Sequence, residues 1–232
     1  PGLTAVELFD AVDRGEIKAL WIACTNPAQS MPNADKVHRA LAKCDFVVVQ
    51  EAYAHTDTTA YADLLLPAAS WGEKEGTVTN SERCITHINA AVNAPGEAIP
   101  DWRIAADFAL ALGEKLDAVF SRSSDSVRPE LVEGQSRMRL DKPVLSGGEG
   151  LTANGGFAAL ARRLFAYACS EEVFNEHRES TRGRDLDITG LSYGLLDGSG
   201  PQQWPFPAGA TQGKTRLYED GKFATPNGRA RF

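Results

Sequence analysis

The sequence predicts an α/β fold built on an open, mainly parallel sheet with helices on both faces. Three observations carry that prediction. Two runs, "KALWIAC" and "DFVVVQE", are short and apolar without polar alternation, as in strands covered on both faces. About twenty residues separate them, enough for a helical crossover and hence for parallel pairing. Helix-period patterns precede, separate and follow the two runs.

The elements follow in order. Thr4 and Glu7 form a capping-box pattern, Val6, Phe9 and Val12 recur at helical spacing, and Gly15 sits where a helix stops. The first strand, "KALWIAC", comes next. "NPAQSMPN" reads as a loop, and "ADKVHRALAKC" as a helix with Val37, Ala40 and Leu41 facing inward. "DFVVVQE" is the clearest strand. "ADLLLPA" is expected to be a third, closed by Pro67, and "CITHI" a short fourth. A helix is expected to open at Pro100 and Asp101, to carry Ile104, Phe108 and Leu112 on one face, and to break or cap at Gly113. Residues 1–120 are therefore expected to form one α/β domain.

Residues 121–156 change character. They are rich in Ser, Gly and charge without a sustained period, and are expected to be a disordered insertion. Within them, "SRSSDSVRPELVEG" resembles a repetitive genomic element translated in frame. Residues 157–190 are expected to supply two further helices that return to the α/β domain, the first with Phe157, Leu160 and Leu164 on one face. "GLLDGSGPQQWPFPAGA" is dense in Gly and Pro and reads as a linker. The end, "TRLYEDGKFATPNGRARF", reads as two short strands around an "EDGK" turn.

Bulk properties narrow the function. With 232 residues, 43% of them hydrophobic, the chain suits one large domain or two small ones. A net charge of −7 without a Lys/Arg cluster argues against nucleic acid and against an anionic membrane surface. No apolar run nears a membrane span, and the start lacks the features of a secretory signal. Cys24, Cys44, Cys84 and Cys169 contain no CxxC pair, so a zinc or iron–sulfur site in this segment is not expected. Reduced thiols in a cytoplasmic protein fit instead. Pro1 is not Met and the end carries no terminating feature. The chain is expected to lie within a longer one.

Ligands of open α/β sheets bind beyond the carboxyl ends of the strands. Three loops leave such ends: "TNPAQS", "QEAYAHTDTTAYA" and "SWGEKEGTVTNSER". They offer Asn26, Gln29, Ser30, Gln50, Glu51, His55, Asp57, Lys74, Asn80, Glu82 and Arg83. A carboxylate at a strand end suits a guanine edge, because it accepts two hydrogen bonds. Lys74 suits phosphate. Each has a plainer reading: Glu51 as a cap, Lys74 in a solvated charge run, His55 and His87 as ordinary surface or core residues. Neither GxGxxG nor GxxxxGK[ST] occurs, and no nucleophile–His arrangement has a recognisable spacing. The residues alone describe a polar site at strand ends and do not name its ligand.

A resemblance goes further. "CTNPAQSMPN", "VVVQEAYAHTDTTAYADLLLPAASWGEKEGTVTNSERCI", "APGEAIPDWRIAADFA" and "FATPNGRARF" resemble the molybdopterin-dependent oxidoreductases of the dimethyl sulfoxide reductase superfamily. "SWGEKEGTVTNSER" and "GPQQWPFPAGA" favour its bacterial assimilatory nitrate reductase branch, in the catalytic subunit. The resemblance implies an internal fragment of a cytoplasmic enzyme that reduces nitrate to nitrite. Its cofactor would be bis-molybdopterin guanine dinucleotide with molybdenum, and a 4Fe-4S cluster would be bound outside this fragment. An electron-donor protein or reductase subunit would be its partner, and residues 191–232 would lead into a C-terminal β-barrel domain. It also implies that Asn26 touches the cofactor, that Gln50 and Glu51 read guanine and ribose, that Lys74 lies near the dinucleotide phosphates or base, and that Asp101 reaches the guanine. Relatives often carry Asp where Glu51 stands. No catalytic or metal-ligating residue is assigned in this segment. Asn80, Glu82 and Arg83 are expected to hold their loop together. A formate dehydrogenase-like member and a non-catalytic α/β binding module are the alternatives.

Overall fold

The computed structural model describes residues 2–124 and 156–231. The expected insertion therefore falls almost wholly outside the described residues. The chain divides into two units: Pro1–Asp101 with Cys169–Phe232, and Trp102–Ala168.

The first unit begins with α1 (Ala5–Asp13). Thr4 caps it, its backbone and hydroxyl both bonding the Glu7 carboxylate at 2.9 and 2.8 Å. Gly15 follows at φ +76°, a left-handed stop that glycine adopts at no steric cost. β1 (Ala19–Ala23) comes next, then a single helical turn α2 (Pro27–Ser30) where a loop was expected. Pro27 at its first position has its φ preset for the turn. α3 (Ala34–Lys43) buries Val37, Ala40 and Leu41 as the spacing predicts. β2 (Phe46–Glu51) and β3 (Leu64–Pro67) complete a parallel sheet in the order β1-β2-β3.

Alternation along the strands sorts the side chains. Leu20, Ile22, Val47 and Val49 share one core with Phe9, Val12, Val37 and Leu41, so α1 and α3 cover the same face. Burying each of these side chains contributes about 1.5–3 kcal/mol. Val48 and Gln50, which alternate with that set, are also buried. β2 is thus covered on both sides, as its unbroken apolar run predicts. β3 differs: Leu64 and Leu65, which point to opposite faces of the strand, are both exposed.

"CITHI" is a strand, but it does not join the parallel sheet. β4 (Gly76–Thr79), β5 (Cys84–Ile88) and β6 (Gln202–Gln203) form a second, antiparallel sheet. β4 lies in a stretch expected to be loop. Its turn to β5 is held by Asn80, whose side-chain oxygen accepts from the N–H groups of Glu82 and Cys84 at 2.9 and 3.0 Å. Arg83 sits left-handed at φ 67°, and its guanidinium donates to carbonyls of Trp204, Lys214 and Thr215. The structural role expected of Asn80 and Arg83 is what the geometry shows.

The segment expected to be a linker is packed. Ile188, Leu191, Tyr193, Leu196 and Phe206 form a second core with Ile85 and with Phe174 of α6 (Ser170–Ser180). α7 (Tyr193–Ser199) lies within it, and Ser192 caps that helix. Density in Gly and Pro hid a core whose apolar residues follow no period. The strands expected after residue 215 are also absent among the described residues. Turns replace them, one closed by the Gly221 N–H on the Tyr218 carbonyl at 2.9 Å, and two short strands alone are marginal.

The second unit holds α4, which starts at the unit boundary (Asp101–Ser124), and α5 (Gly156–Phe165). Ile104 is buried, but Phe108 and Leu112 are exposed. Gly113 does not end α4. A Cβ there would lie 2.9 Å from both the Ala161 methyl and the Phe157 carbonyl, so glycine is what lets the two helices approach. One turn on, the Asp117 carboxylate caps α5, accepting from the N–H groups of Phe157 and Ala158 at 2.7 and 2.9 Å.

Candidate functional site

Parallel pairing brings the carboxyl ends of β1, β2 and β3 to one edge. Each strand delivers a specific group there. Past β1, Cys24 turns left-handed at φ 60°, a conformation found disproportionately at functional sites. Its N–H donates to the Gln50 carbonyl at 3.2 Å. β2 ends on Gln50 and Glu51. After β3, a 3-10 turn (Trp71–Glu73) leads to Lys74; the Glu73 carboxylate accepts from the Ser70 N–H at 2.8 Å. Residues 95–100 then return beside β3. The Ile99 N–H donates to the Pro67 carbonyl at 3.2 Å and the Ala69 N–H to Ile99 at 2.9 Å. This extension sets Asp101 against the strand ends.

The side chains form a connected network. Lys74 Nζ donates to Asp101 Oδ2 at 2.5 Å. Gln50 Nε2 donates to Asp101 Oδ1 at 2.8 Å, and Gln50 Oε1 accepts from Trp21 Nε1 at 3.2 Å. The Cys24 thiol faces Asp101 Oδ1 at 3.5 Å. Burial pushes the Asp101 carboxyl up, but hydrogen bonds from Lys74 and Gln50 together with the lysine charge outweigh it, and its pKa lies below the usual carboxylate value. Burial, and then the Asp101 charge, push the Cys24 thiol up, so it is held protonated rather than activated. Glu51 is arranged differently. Its Oε1 accepts from the N–H groups of Ala52 and Tyr53 at 2.8 and 3.3 Å. Its Oε2 takes no hydrogen bond among the described residues.

Two adjoining hollows open here. One, of about 230 Å³, is lined by Cys24, Gln50, Glu51, Tyr53, Trp71, Lys74 and Asp101, with small residues between them. The other, of about 320 Å³, shares Glu51, Tyr53 and Ser70 and reaches Glu73 and Pro95. Tyr53 and Trp71 stand at this rim 72% and 67% exposed. Two flat aromatic surfaces beside a carboxylate suit a planar base.

Of the five residues expected at the site, Gln50, Glu51, Lys74 and Asp101 come together. Asn26 does not line either hollow. Its Oδ1 accepts from the Thr58 hydroxyl at 2.6 Å and the Thr58 N–H at 3.1 Å, and its amide donates to Gln29 at 3.2 Å. Asn26 thus ties the first strand-end loop to the second. His55, Asp57, Glu82 and Ser30 line neither hollow. The His87 side chain is buried, stacked on Tyr193 at 3.8 Å and bonded to Asp197 at 2.7 Å, which is its plainer reading. Trp21, Cys24, Tyr53 and Trp71 were not singled out from the sequence. Their positions beside strand ends were a usable signal for Cys24 and Tyr53.

Comparison with known proteins finds a matching family model and related sequences. Residues 1–111 match the family model for molybdopterin oxidoreductase. Residues 1–111 belong to that family. Across its whole length the chain is 38% identical to a nitrate reductase of Shewanella frigidimarina, covering 21% of that protein. It is 34% identical over 99% of its length to the assimilatory nitrate reductase catalytic subunit of Bacillus subtilis, covering 25% of it. An F420-dependent formate dehydrogenase subunit alpha of Methanocaldococcus jannaschii is 46% identical over 48% of the chain, which covers 16% of that protein. This molybdopterin oxidoreductase segment thus spans about a quarter or less of such relatives.

Proposed function

We propose that the strand-end hollows of this molybdopterin oxidoreductase segment grip the guanine dinucleotide end of a molybdopterin cofactor, within an enzyme that reduces nitrate to nitrite. The observation that carries this reading is the convergence of Gln50, Glu51, Lys74 and Asp101 on one edge of the parallel sheet. The residues fit the group. Glu51 Oε2 has open acceptor capacity for the donors of a guanine edge, Gln50 is locked by two hydrogen bonds, and Tyr53 and Trp71 offer faces for a planar ring. No cluster of three metal-ligating side chains occurs among the described residues. In this reading the segment holds the organic end of the cofactor, and a 4Fe-4S cluster is bound elsewhere in the enzyme. When bound, the molybdenum centre supplies the two-electron chemistry. The residues of this chain bind and orient.

Nitrate as substrate rests on nitrate reductases that match the chain over nearly its full length. An electron-donor protein or reductase subunit and a cytoplasmic setting accompany that reading. No helix among the described residues is long and apolar enough to cross a membrane. A formate dehydrogenase is the second reading, favoured by the 46% identity over the first half of the chain. Purified full-length enzyme decides between them. Nitrate reduction, with acid hydrolysis releasing GMP in proportion to molybdenum, is the expected result. Formate oxidation without nitrate reduction selects the second reading, and release of no guanine nucleotide overturns the first claim.

A further inference from the structure

A titratable triad sits beside the second core, away from both hollows. At its centre is His87 of β5, its side chain 4% exposed. Its Nδ1 lies 2.7 Å from Asp197 Oδ1 of α7. Its Nε2 makes no hydrogen bond among the described residues and lies 3.5 Å from Glu75 Oε1. Among the described residues, neither carboxylate has another ion-pair partner. The other groups packed about the ring bring no positive charge. Tyr193 of α7 stacks on it at 3.8 Å, and Thr77 stands opposite it on β4. Gln202 and Gln203 continue the sheet on β6. Ser170 of α6 donates to Glu75 Oε2 at 3.0 Å. Burial first, opposed by the Ser170 hydroxyl and then aided by the Glu75 and Glu171 charges and Cys169, pushes the Tyr193 phenol up, so Tyr193 stays a neutral ring.

These contacts fix a proton count. An ionised carboxylate only accepts, so each gap, Nδ1 to Asp197 and Nε2 to Glu75, needs a hydrogen. A neutral imidazole brings one. With that one alone, a buried nitrogen lone pair faces a carboxylate oxygen, which is both repulsive and unsatisfied. We propose that the folded protein takes up one extra proton from solvent within the triad of His87, Glu75 and Asp197, and that this proton makes the junction of α7, β5 and residues 74–75 a pH-sensitive clamp. Lys74 has extended backbone, at φ −139° and ψ 155°, so its side chain and that of Glu75 point to opposite sides. Glu75 turns to the triad and Lys74 to Asp101. The clamp thus holds the segment from which Lys74 reaches the strand ends. It stands apart from the cofactor reading, because His87, Glu75 and Asp197 line neither hollow.

Because folding takes up this proton, the clamp weakens as pH rises. Its contribution is complete below about pH 6.5, where an unfolded histidine also carries the proton, and is lost above that range. Hydrogen exchange of full-length enzyme, read as protection factors between pH 6.5 and 8.5, tests this, with α3 (Ala34–Lys43) in the other core as reference. We expect the peptides spanning residues 74–88 and α7 to lose at least about five-fold more protection than α3, within the limit of about ten-fold per pH unit that one proton sets. Glu75→Gln puts an amide N–H opposite Nε2 and keeps an acceptor for Ser170. It should abolish that excess loss and protect both peptides better than wild type at pH 8.5. Asp197→Asn, whose amide donates to Nδ1 and leaves the ring hydrogen for Glu75, should do the same, and it serves where Glu75→Gln fails to fold. A wild-type loss no larger than that of α3 overturns the inference. So does a loss in either variant equal to that of wild type, which assigns the titration to another group. Neither result bears on the cofactor reading.

Discussion

Asn26 and Asp101 show two ways in which a polar side chain near a strand end is used. Asn26 Oδ1 satisfies both the hydroxyl and the N–H of Thr58, a fully buried residue. Asn26→Ala leaves those donors without that acceptor, which costs about 1–3 kcal/mol. A lowered midpoint of thermal unfolding in the full-length enzyme, with little change in molybdenum per folded chain, is the expected outcome. Asp101 has its folded-state pKa depressed, with burial opposed and outweighed by Lys74 and Gln50. A depressed carboxylate stabilises the fold above its unfolded pKa of about 3.9, and that contribution is lost as pH falls through the folded value. Denaturation followed from pH 7 down to pH 3 should therefore show a shallower acid loss for Asp101→Asn than for wild type. Equal slopes would mean that the carboxylate is not held ionised by its neighbours.

Helix α4 and the hairpin β4–β5 mark the limit of what was legible at the level of elements. Helix α3 and strand β2 follow from periodicity alone, because each has a local pattern and a neighbouring core that agrees with it. β4 escaped notice because "GTVT" is short and follows a run of charge. Only its pairing with Cys84–Ile88 makes it a strand. The core of Leu191, Tyr193 and Phe206 escaped because tertiary contacts, not spacing, define it. Gly113 gives a direct check. In a solvent-facing helix, Gly→Ala stabilises by about 1 kcal/mol. Here the added methyl would meet the Phe157 carbonyl and Ala161 at 2.9 Å, so Gly113→Ala is expected to destabilise by about 1–3 kcal/mol. Its thermal midpoint, measured in the full-length enzyme, should fall. A rise would show that α5 can shift to accommodate the methyl.

At the level of the whole molecule, a parallel sheet collects its strand ends at one edge, and that edge is where four of the five residues expected from the sequence meet. The convergence was legible because parallel pairing follows from the crossover length and because ligand sites in such sheets lie beyond the carboxyl ends. The partner of each side chain was not legible: Lys74 turned to Asp101, and Asn26 to Thr58. Glu51 is the carboxylate at the junction of the two hollows, with one oxygen held by the Ala52 and Tyr53 N–H groups. The most direct measurement is molybdenum and acid-released GMP per chain in full-length Glu51→Ala enzyme, compared with wild type purified in parallel. Both should fall several-fold together while the thermal midpoint of the cofactor-free protein stays close to wild type. Unchanged molybdenum and GMP would place the guanine end somewhere other than these hollows.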